Sequence, residues 1–197
     1  MKKLALILIA GISFATAQAQ FQFGAKAGLN LANISDIQGY SANTQFNFNV
    51  GVFFKMPVAR HVSIQPELVY SGQGFRYNDA GSPGSDHLNY INLPILVKLT
   101  SRTGFYFETG PQFGFLASAH DTYQDVTADV KSQYKSGDFG WVFGIGAKIP
   151  LSPIGVDLRY NAGMSNIFDY QGADGPSVRN GVWQLGLTYV LFSSGRK

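Results

Sequence analysis

The sequence predicts an all-β fold: an eight-stranded antiparallel up-and-down transmembrane β-barrel. Three observations lead to this prediction. Apolar residues alternate with small or polar residues in eight separate segments, which is the period of a β-strand. The links between the segments alternate between short and long. Charged residues within the segments fall on the face opposite the bulky apolar side chains.

Residues 1–19 are predicted to be a signal peptide, which leaves residues 20–197 as a single barrel domain. The leader "MKKLALILIAGISFATAQA" has two lysines, then an apolar run, then the small-x-small triplet "AQA", the order found in signal peptides. Because the run is shorter than the ~20 apolar residues of a spanning helix, a membrane anchor is the less favoured alternative.

Composition excludes several classes of function. Removing the leader takes away two of the 15 basic residues and none of the 12 acidic ones, so 13 basic residues remain against 12 acidic. That balance gives no electrostatic basis for binding nucleic acid. Since the chain has no cysteine, it has no disulfide, thiolate metal site or cysteine nucleophile.

The strands are predicted from repetition of the alternating pattern. Although 45% of the residues are hydrophobic, no run after the leader reaches the length of a spanning helix. Alternation over about ten residues is weak in one segment and persuasive when it recurs. The eight segments are 21–32, 45–56, 61–77, 89–99, 104–117, 140–151, 154–165 and 181–192.

The first four segments share the pattern, with two interruptions. "FQFGAKAGLNLA" and "QFNFNVGVFFKM" set Phe, Val and Leu on one face against Gly, Asn and Lys on the other. The third and fourth segments alternate in the same way but contain Pro66 and Pro94. Each proline removes a donor from the strand ladder and suggests a bulge.

The last four segments include the clearest case, "GWVFGIGAKIPL" at 140–151. Its bulky residues share one parity, and its glycines and Lys148 share the other. A helix would scatter these glycines around its circumference at about 1 kcal/mol each, whereas a strand collects them on one face. The segments at 104–117, 154–165 and 181–192 segregate aromatic and aliphatic residues from polar ones in the same manner.

The charged residues indicate which face meets lipid. A Lys or Arg on the lipid face near the bilayer centre costs about 2 to 4 kcal/mol, so the charged face should line the lumen. A soluble lipocalin-like barrel would invert this assignment and crowd inside the phenylalanines that follow the leader, 15 of the 16 in the sequence. The charged positions are Lys26, Lys55, Glu67, Lys98, Glu108, Lys148, Asp157 and Arg159.

Two sets of residues follow from this assignment. Because isolated buried charges are costly, the predicted lumen network pairs three acids with Lys26, Arg159 and nearby lysines; its members are Lys26, Glu67, Glu108, Asp157 and Arg159. Lys55, Lys98 and Lys148 lie near short turns, where snorkelling to water is an equal alternative. The predicted lipid-facing residues are Phe48, Phe107, Trp141, Phe143, Leu158, Trp183 and Leu187.

The alternating links predict the orientation in the membrane. Short links lie near 57–61, 100–104 and 150–153, and longer polar links lie near 33–44, 78–88, 118–138 and 166–180. Short periplasmic turns and long outer loops are typical of outer-membrane barrels. An even number of strands then leaves both termini in the periplasm.

Catalytic and metal-binding patterns are weak, so we expect no enzyme, cofactor or metal. His87 follows Asp86 and His120 precedes Asp121, so an Asp/His pair at the rim is conceivable, and Ser118 is a candidate nucleophile. Loops are ordinarily rich in such residues, however, and His61 lies at a turn. The acids Asp121, Asp125, Asp129 and Asp138 are too irregularly spaced for a calcium loop.

The chain resembles the Bacteroidetes outer-membrane β-barrel proteins of the porin family, which includes PorT-like proteins. The similar motifs are "YINLPILVKL" (90–99), "ETGPQFGF" (108–115), "DFGWVFGIGAKI" (138–149), "DLRYNAGMSNI" (157–167) and the terminal "LGLTYVLF". Outer-membrane barrels commonly end on an aromatic residue that the assembly machinery reads, whereas "SSGRK" follows Phe192 here. The resemblance implies an architecture and an outer-membrane location more than a mechanism.

We therefore expect a small integral outer-membrane protein with a plugged polar lumen. Its role would be structural, surface recognition, or assistance to a secretion or assembly complex. The expected partners are outer-membrane lipid and lipopolysaccharide, the barrel-assembly machinery, and a surface ligand or secretion-complex component. The alternatives are a narrow diffusion pore and, less favoured, a lipid-modifying barrel enzyme.

Overall fold

The computed structural model describes residues 21–35, 43–79, 82–124, 126–169 and 177–194. The predicted signal peptide lies outside these ranges. Among the described residues, no helix has the length and hydropathy of a membrane-spanning helix. Over these ranges the chain forms nine strands and one short 3₁₀ helix, Lys131–Gln133. The strands are Gln22–Ser35 (β1), Asn43–Ala59 (β2), Val62–Asp79 (β3), Ser82–Thr100 (β4), Phe105–Tyr123 (β5), Val126–Asp129 (β6), Gly137–Lys148 (β7), Ile154–Gly163 (β8) and Arg179–Ser193 (β9).

Eight of these strands close into an antiparallel ring. Each strand pairs with the next along the chain, β5 pairs with β7, and β9 pairs back with β1. The four-residue β6 lies outside the ring and pairs only with the end of β5. All eight predicted segments correspond to ring strands, so the predicted eight-stranded up-and-down fold is confirmed.

The ring has two different ends. Short turns join β2 to β3 at Arg60–His61, β4 to β5 at 101–104 and β7 to β8 at 149–153. Both ends of the described chain lie at this same end, because Gln22 pairs with Ser193 and Ser194 N donates to the Phe21 carbonyl at 2.8 Å. We call this the short-turn end and the opposite one the long-loop end.

Two of the predicted long links are in fact largely strand. The predicted link 78–88 is wrong, because β3 continues to Asp79 and β4 begins at Ser82. The predicted link 118–138 contains the last six residues of β5 together with β6 and the 3₁₀ helix. These strands extend past the rest of the ring at the long-loop end.

The alternating sequence pattern does not predict these extended strand ends, because apolar residues point inward there and polar residues point outward. Within the ring, apolar side chains such as Leu68, Ile91 and Phe113 point outward and are exposed. Beyond it, Phe75 and Leu88 point inward and are buried, while Arg76 and His87 are exposed. This is the pattern of a sheet whose outer face meets water, so the inversion marks where the apolar belt ends.

The inward apolar residues of the extension form a compact cluster at the long-loop end. We call it the apolar cap cluster; its members are Ile34, Phe75, Leu88, Tyr90, Leu116, Ala119, Val130, Tyr134, Ile167 and Val178. It combines residues from the extended strands with others from the segments that follow β6 and β8. The cluster therefore covers the ring at this end.

The irregularities of the sheet do not lie at the two prolines. The register stays continuous on both sides of Pro66 and Pro94, so the predicted bulges there are wrong; some pairings are missing beside them, as expected for a residue without an N–H. A register shift occurs instead at Asn89/Tyr90, which pair with Ser118 and Leu116. The extra residue, Ala117, reverses the parity of β5 and turns Ala119 inward.

Candidate functional site

The centre of the lumen is occupied by Arg159, which projects inward from β8. Its Nη1 and Nη2 donate to Glu67 Oε2 and Oε1 at 2.8 and 2.9 Å, a bidentate pairing that suits the planar guanidinium. Glu67 lies on β3, four strands away around the ring in either direction. This ion pair therefore crosses the full width of the lumen.

Two further acids surround the same guanidinium. Arg159 Nε forms ion pairs with Glu108 Oε1 on β5 and, at 3.2 Å, with Asp157 Oδ1 on β8. Attraction by these carboxylates stabilises a cation that is only 2% exposed. A buried guanidinium is favourable only with such compensation.

Two lysines complete the cluster. Lys26 Nζ lies 3.3 Å from Glu67 Oε2, and Lys98 Nζ lies 2.8 Å from Glu108 Oε2. Lys98 also sits 3.8 Å from the centre of the Tyr106 ring, a cation–π contact. The structure thus brings Lys26, Glu67, Glu108, Asp157 and Arg159 into one buried group and adds Lys98.

The sequence allows Lys98 either to pair or to snorkel to water, and in the structure it pairs with Glu108 in the network. The sequence contains a signal that would have predicted this pairing. The short turn after β4 brings Lys98 directly opposite Glu108 in the β4–β5 pairing, and opposite charges at such positions attract. Of the other two lysines, Lys55 is buried and Lys148 is exposed.

Glycines make room for the network. A Cβ at Gly144 would lie 2.9 Å from Arg159 Cγ and 3.0 Å from Glu108 Cγ. A Cβ at Gly186 would lie 2.7 Å from Asp157 Oδ1. Gly144 on β7 and Gly186 on β9 therefore provide the space into which the charged side chains reach.

A layer of amides lies between the network and the long-loop end. Asn49 Nδ2 donates to Asn30 Oδ1 at 2.6 Å, and Asn30 Nδ2 donates to Ser71 Oγ at 2.9 Å and to the Gly72 carbonyl at 2.7 Å. Asn30 is 0% exposed, as is Glu108 in the network. Solvent therefore reaches neither of these two side chains, and the apolar cap cluster lies beyond the amide layer.

The outer wall of the ring is an apolar belt. Six of the seven predicted lipid-facing residues are exposed, by 42% to 58%: Phe48, Phe107, Phe143, Leu158, Trp183 and Leu187. The seventh, Trp141, is half-buried, and its indole Nε1 donates to Thr109 Oγ1 at 2.8 Å. A continuous exposed belt of this kind is far larger than the apolar patches of soluble monomers.

The candidate catalytic groups at the long-loop end do not assemble. Asp86 points inward and accepts a hydrogen bond from Tyr134 Oη at 2.8 Å, and Asp121 accepts one from Tyr77 Oη at 2.8 Å. Each aspartate thus faces away from its neighbouring histidine. His87 is paired with His120 in the β4–β5 register, and its Nδ1 lies 2.8 Å from Gln45 Nε2.

The remaining candidates have structural partners. Ser118 Oγ accepts a hydrogen bond from Asn89 Nδ2 at 3.0 Å, and His61 Nδ1 lies 3.0 Å from the Thr100 carbonyl at the short-turn end. Within the part of the chain that the structure describes, no three His, Asp or Glu side chains are grouped to hold a metal ion.

Two ionisable groups beyond the belt are perturbed. Burial raises the pKa of the Asp86 carboxyl to about 6; the hydrogen bond from Tyr134 opposes this rise, and the charge of Asp121 adds to it. Burial also lowers the pKa of His87, and the charges of Arg76 and His120 lower it further. The protonated form of His87 is therefore disfavoured on this face.

Sequence and structural comparisons give consistent results. The family model described as "Outer membrane protein beta-barrel domain" matches residues 16–169. The chain has no match among curated proteins. Among solved structures, Neisserial surface protein A is similar with a TM-score of 0.53 at 13% identity, over 85% of this chain and 96% of that one.

A second similar structure is Ail, the attachment invasion locus protein of Yersinia pestis. Its TM-score is 0.49 at 12% identity, over 88% of this chain and 99% of that one. At such identities a likeness concerns the fold alone.

Proposed function

Since this chain belongs to the outer-membrane β-barrel family, we propose that it is an integral protein of the Gram-negative outer membrane that acts through its surfaces and not through its lumen. The observation that carries the proposal is the ion pair between Arg159 and Glu67, which joins opposite walls of the ring. An eight-stranded barrel is just wide enough to be filled by its own side chains, and this one is filled.

Conductance tests the closed lumen. Folded protein in a planar bilayer should give no steady unit currents, because the charged layer, the amide layer and the apolar cap cluster lie in series. Replacing both Glu67 and Arg159 with alanine removes the side chains that cross the lumen and serves as the comparison. Steady, large unit currents from the unaltered chain would contradict the proposal and favour the diffusion-pore alternative.

The surface that acts is, in our proposal, the extension at the long-loop end. Three strands rise beyond the apolar belt and present polar side chains, including Arg76, His87 and His120, on a face that the inverted polarity assigns to water. Rigid strands hold these side chains in a fixed arrangement, which favours recognition. The ligand would be a molecule at the cell surface or lipopolysaccharide.

The proposed orientation follows from the two different ends. Short turns and both ends of the described chain lie at the short-turn end, and this arrangement supports periplasmic termini. An epitope inserted near the 80–81 link should be labelled on intact cells, whereas one inserted at Arg60–His61 should be labelled only after permeabilisation. Labelling of the Arg60–His61 epitope on intact cells would reverse the orientation.

Three further partners are proposed from the barrel architecture and its exposed belt. The exposed belt would contact outer-membrane lipid, the assembly machinery would insert the barrel, and a secretion or assembly complex is the alternative to a surface ligand. The resemblance to Bacteroidetes PorT-like barrels, carried by motifs such as "YINLPILVKL" (90–99), concerns architecture and location and does not decide between these partners. Cross-linking from His120, compared with cross-linking from Arg60, would separate a surface ligand from a periplasmic partner.

A catalytic role is not part of the proposal, because Asp86 and Asp121 are engaged by tyrosines and not by histidines. The composition of lipid A in a deletion strain provides the check. It should be unchanged; an alteration that the wild type reverses and His120→Ala does not would establish a lipid-modifying enzyme.

A further inference from the structure

Between the ionic network and the short-turn end, the lumen carries more positive than negative charge. The three carboxylates of this part, Glu67, Glu108 and Asp157, project inward and are matched by Lys26, Lys98 and Arg159. Two inward lysines remain, and they are Lys55 on β2 and Lys148 at the end of β7. Neither forms an ion pair with any carboxylate in the described ranges.

Both lysines line a pocket that opens at the short-turn end. Its volume is about 350 Å³, and its lining includes Lys55, Lys98, Lys148, Gln22 and Thr188. Liquid water occupies about 30 Å³ per molecule, so the pocket has room for a small anion together with several waters. Amide and hydroxyl groups beside the lysines provide neutral hydrogen-bonding partners.

Lys55 is the member that most requires a counterion. Lys55 is only 8% exposed, and the charged groups near it include the ammonium groups of Lys148 and Lys98. Lys98 is already engaged by Glu108 at 2.8 Å. Burying an ammonium group next to like charges is unfavourable unless an anion approaches.

We propose that this pocket binds the phosphate or carboxylate group of a molecule on the periplasmic side of the membrane. An anion between Lys55 and Lys148 would neutralise the excess charge and accept hydrogen bonds from both ammonium groups, each of which has three donors. The side from which the ligand arrives rests on the proposed orientation. Anion binding itself does not rest on that orientation. A binding test on purified protein can therefore succeed or fail independently of the proposed orientation.

Nuclear magnetic resonance of the full mature chain in a zwitterionic detergent provides the test. Selective ¹³C and ¹⁵N labelling of lysine leaves every ammonium group unmodified and gives each lysine a signal, which single Lys→Gln variants assign. Inorganic phosphate and, separately, acetate are added with sodium chloride adjusted to hold ionic strength constant. We expect saturable shifts of the Lys55 and Lys148 signals. The anion that binds with the higher affinity shows whether the natural ligand carries a phosphate or a carboxylate group.

The variants make the outcome specific. Lys55→Gln and Lys148→Gln should each weaken binding at least about tenfold, since each removes a charge-assisted hydrogen bond. Lys148→Arg keeps the charge and should retain binding. Lys131→Gln, at the long-loop end, should change nothing. Because Lys148 is exposed, its variants test the site even if Lys55→Gln does not fold, which a heat-modifiability gel would reveal.

The proposal is overturned if both anions cause only linear, unsaturated shifts, or if the Lys131 signal responds as strongly as that of Lys55. It is also overturned if the Lys148→Gln variant folds and binds phosphate with unchanged affinity. None of these outcomes affects the closed lumen or the surface role, which conductance and epitope labelling test independently.

Discussion

At the scale of single residues, Arg159 matters because it balances three carboxylates at once. Removing one partner of a buried ionic group leaves the others uncompensated, and this costs about 3 to 5 kcal/mol. The loss is larger than that of an ordinary surface ion pair, which contributes at most about 1 kcal/mol. Substitutions at this position should therefore be read as changes to the whole network.

Arg159→Leu should lower the free energy of unfolding by about 3 to 5 kcal/mol, because Glu67, Glu108 and Asp157 then repel one another without a central cation. Arg159→Lys should have a smaller effect, since it keeps the charge and loses the bidentate pairing. Guanidinium-induced unfolding in lipid vesicles measures both. Arg102→Leu, in the exposed turn at 101–104, is the matched control and should change stability by less than about 0.5 kcal/mol.

Asp86 should make stability depend on pH between about 4 and 6. Its folded pKa is about 6, above its value in the unfolded chain, so the folded state binds the proton more tightly. Stability from this group is therefore present below pH 4 and is lost as pH rises through 6. The loss should be on the order of 1 kcal/mol after allowance for solvent screening.

Asp86→Asn removes the titrating carboxyl and keeps an oxygen that can accept from Tyr134 Oη. Unfolding free energies at pH 4, 5, 6 and 7 should show a flatter profile for this variant than for the unaltered chain. Asp129→Asn, on the exposed β6, provides the control. Identical slopes for Asp86→Asn and the unaltered chain would show that Asp86 is not the group responsible.

At the scale of elements, glycine on an inward strand face provides space that neighbouring side chains occupy. β7 carries an inward Gly144 whose missing Cβ makes space for Arg159 and Glu108, whereas nothing lies within 4 Å of a Cβ built at Gly137 on the same strand. Two glycines in one strand thus have different reasons to be glycine. The contrast can be tested directly.

Gly144→Val should prevent or severely impair folding, because its branched side chain would overlap two buried charged side chains that have no free space to enter. Gly137→Val should be neutral or slightly stabilising, since valine favours strands. The mobility shift of a folded barrel on a detergent gel, before and after boiling, measures the folded fraction of each variant. Equal folded fractions for the two variants would contradict the role assigned to Gly144.

The elements also show how far the sequence predicts this structure. Parity located all eight ring strands because one outer environment, the apolar belt, applies along each of them. It failed at 82–88 and 118–123, where inward and outward polarity exchange and the bulge at Ala117 shifts the parity of β5. The alternation that identifies a strand facing lipid therefore does not identify the part of the same strand that faces water.

The same reasoning separates the predictable from the unpredictable part of the candidate site. Inward charges follow from parity, and the pairing of Lys98 with Glu108 follows from the register that their short turn sets. The pairing of Arg159 with Glu67 joins residues 92 positions apart. It depends on ring closure and on the relative heights of opposite strands, which no local pattern encodes.

At the scale of the whole molecule, the barrel is arranged around three environments. The belt of exposed aromatic and aliphatic side chains surrounds a lumen that the ionic network fills at its centre, and the extension at the long-loop end inverts its polarity to meet water. Lipid contacts therefore stop where β3, β4 and β5 reverse their pattern. Equally exposed apolar residues on the two sides of this boundary should respond oppositely to charge.

Leu187 and Val126 test this boundary, because both are exposed apolar residues, by 58% and 70%. Leu187 lies in the belt on β9, where an arginine near the bilayer centre would cost about 2 to 4 kcal/mol. Val126 lies on β6, outside the ring and beyond the belt, so Val126→Arg should change stability by less than about 0.5 kcal/mol. Unfolding free energies in phospholipid vesicles measure both. If the two substitutions cost the same, the belt does not face hydrocarbon, and the membrane placement from which the surface role and the periplasmic pocket are inferred is lost.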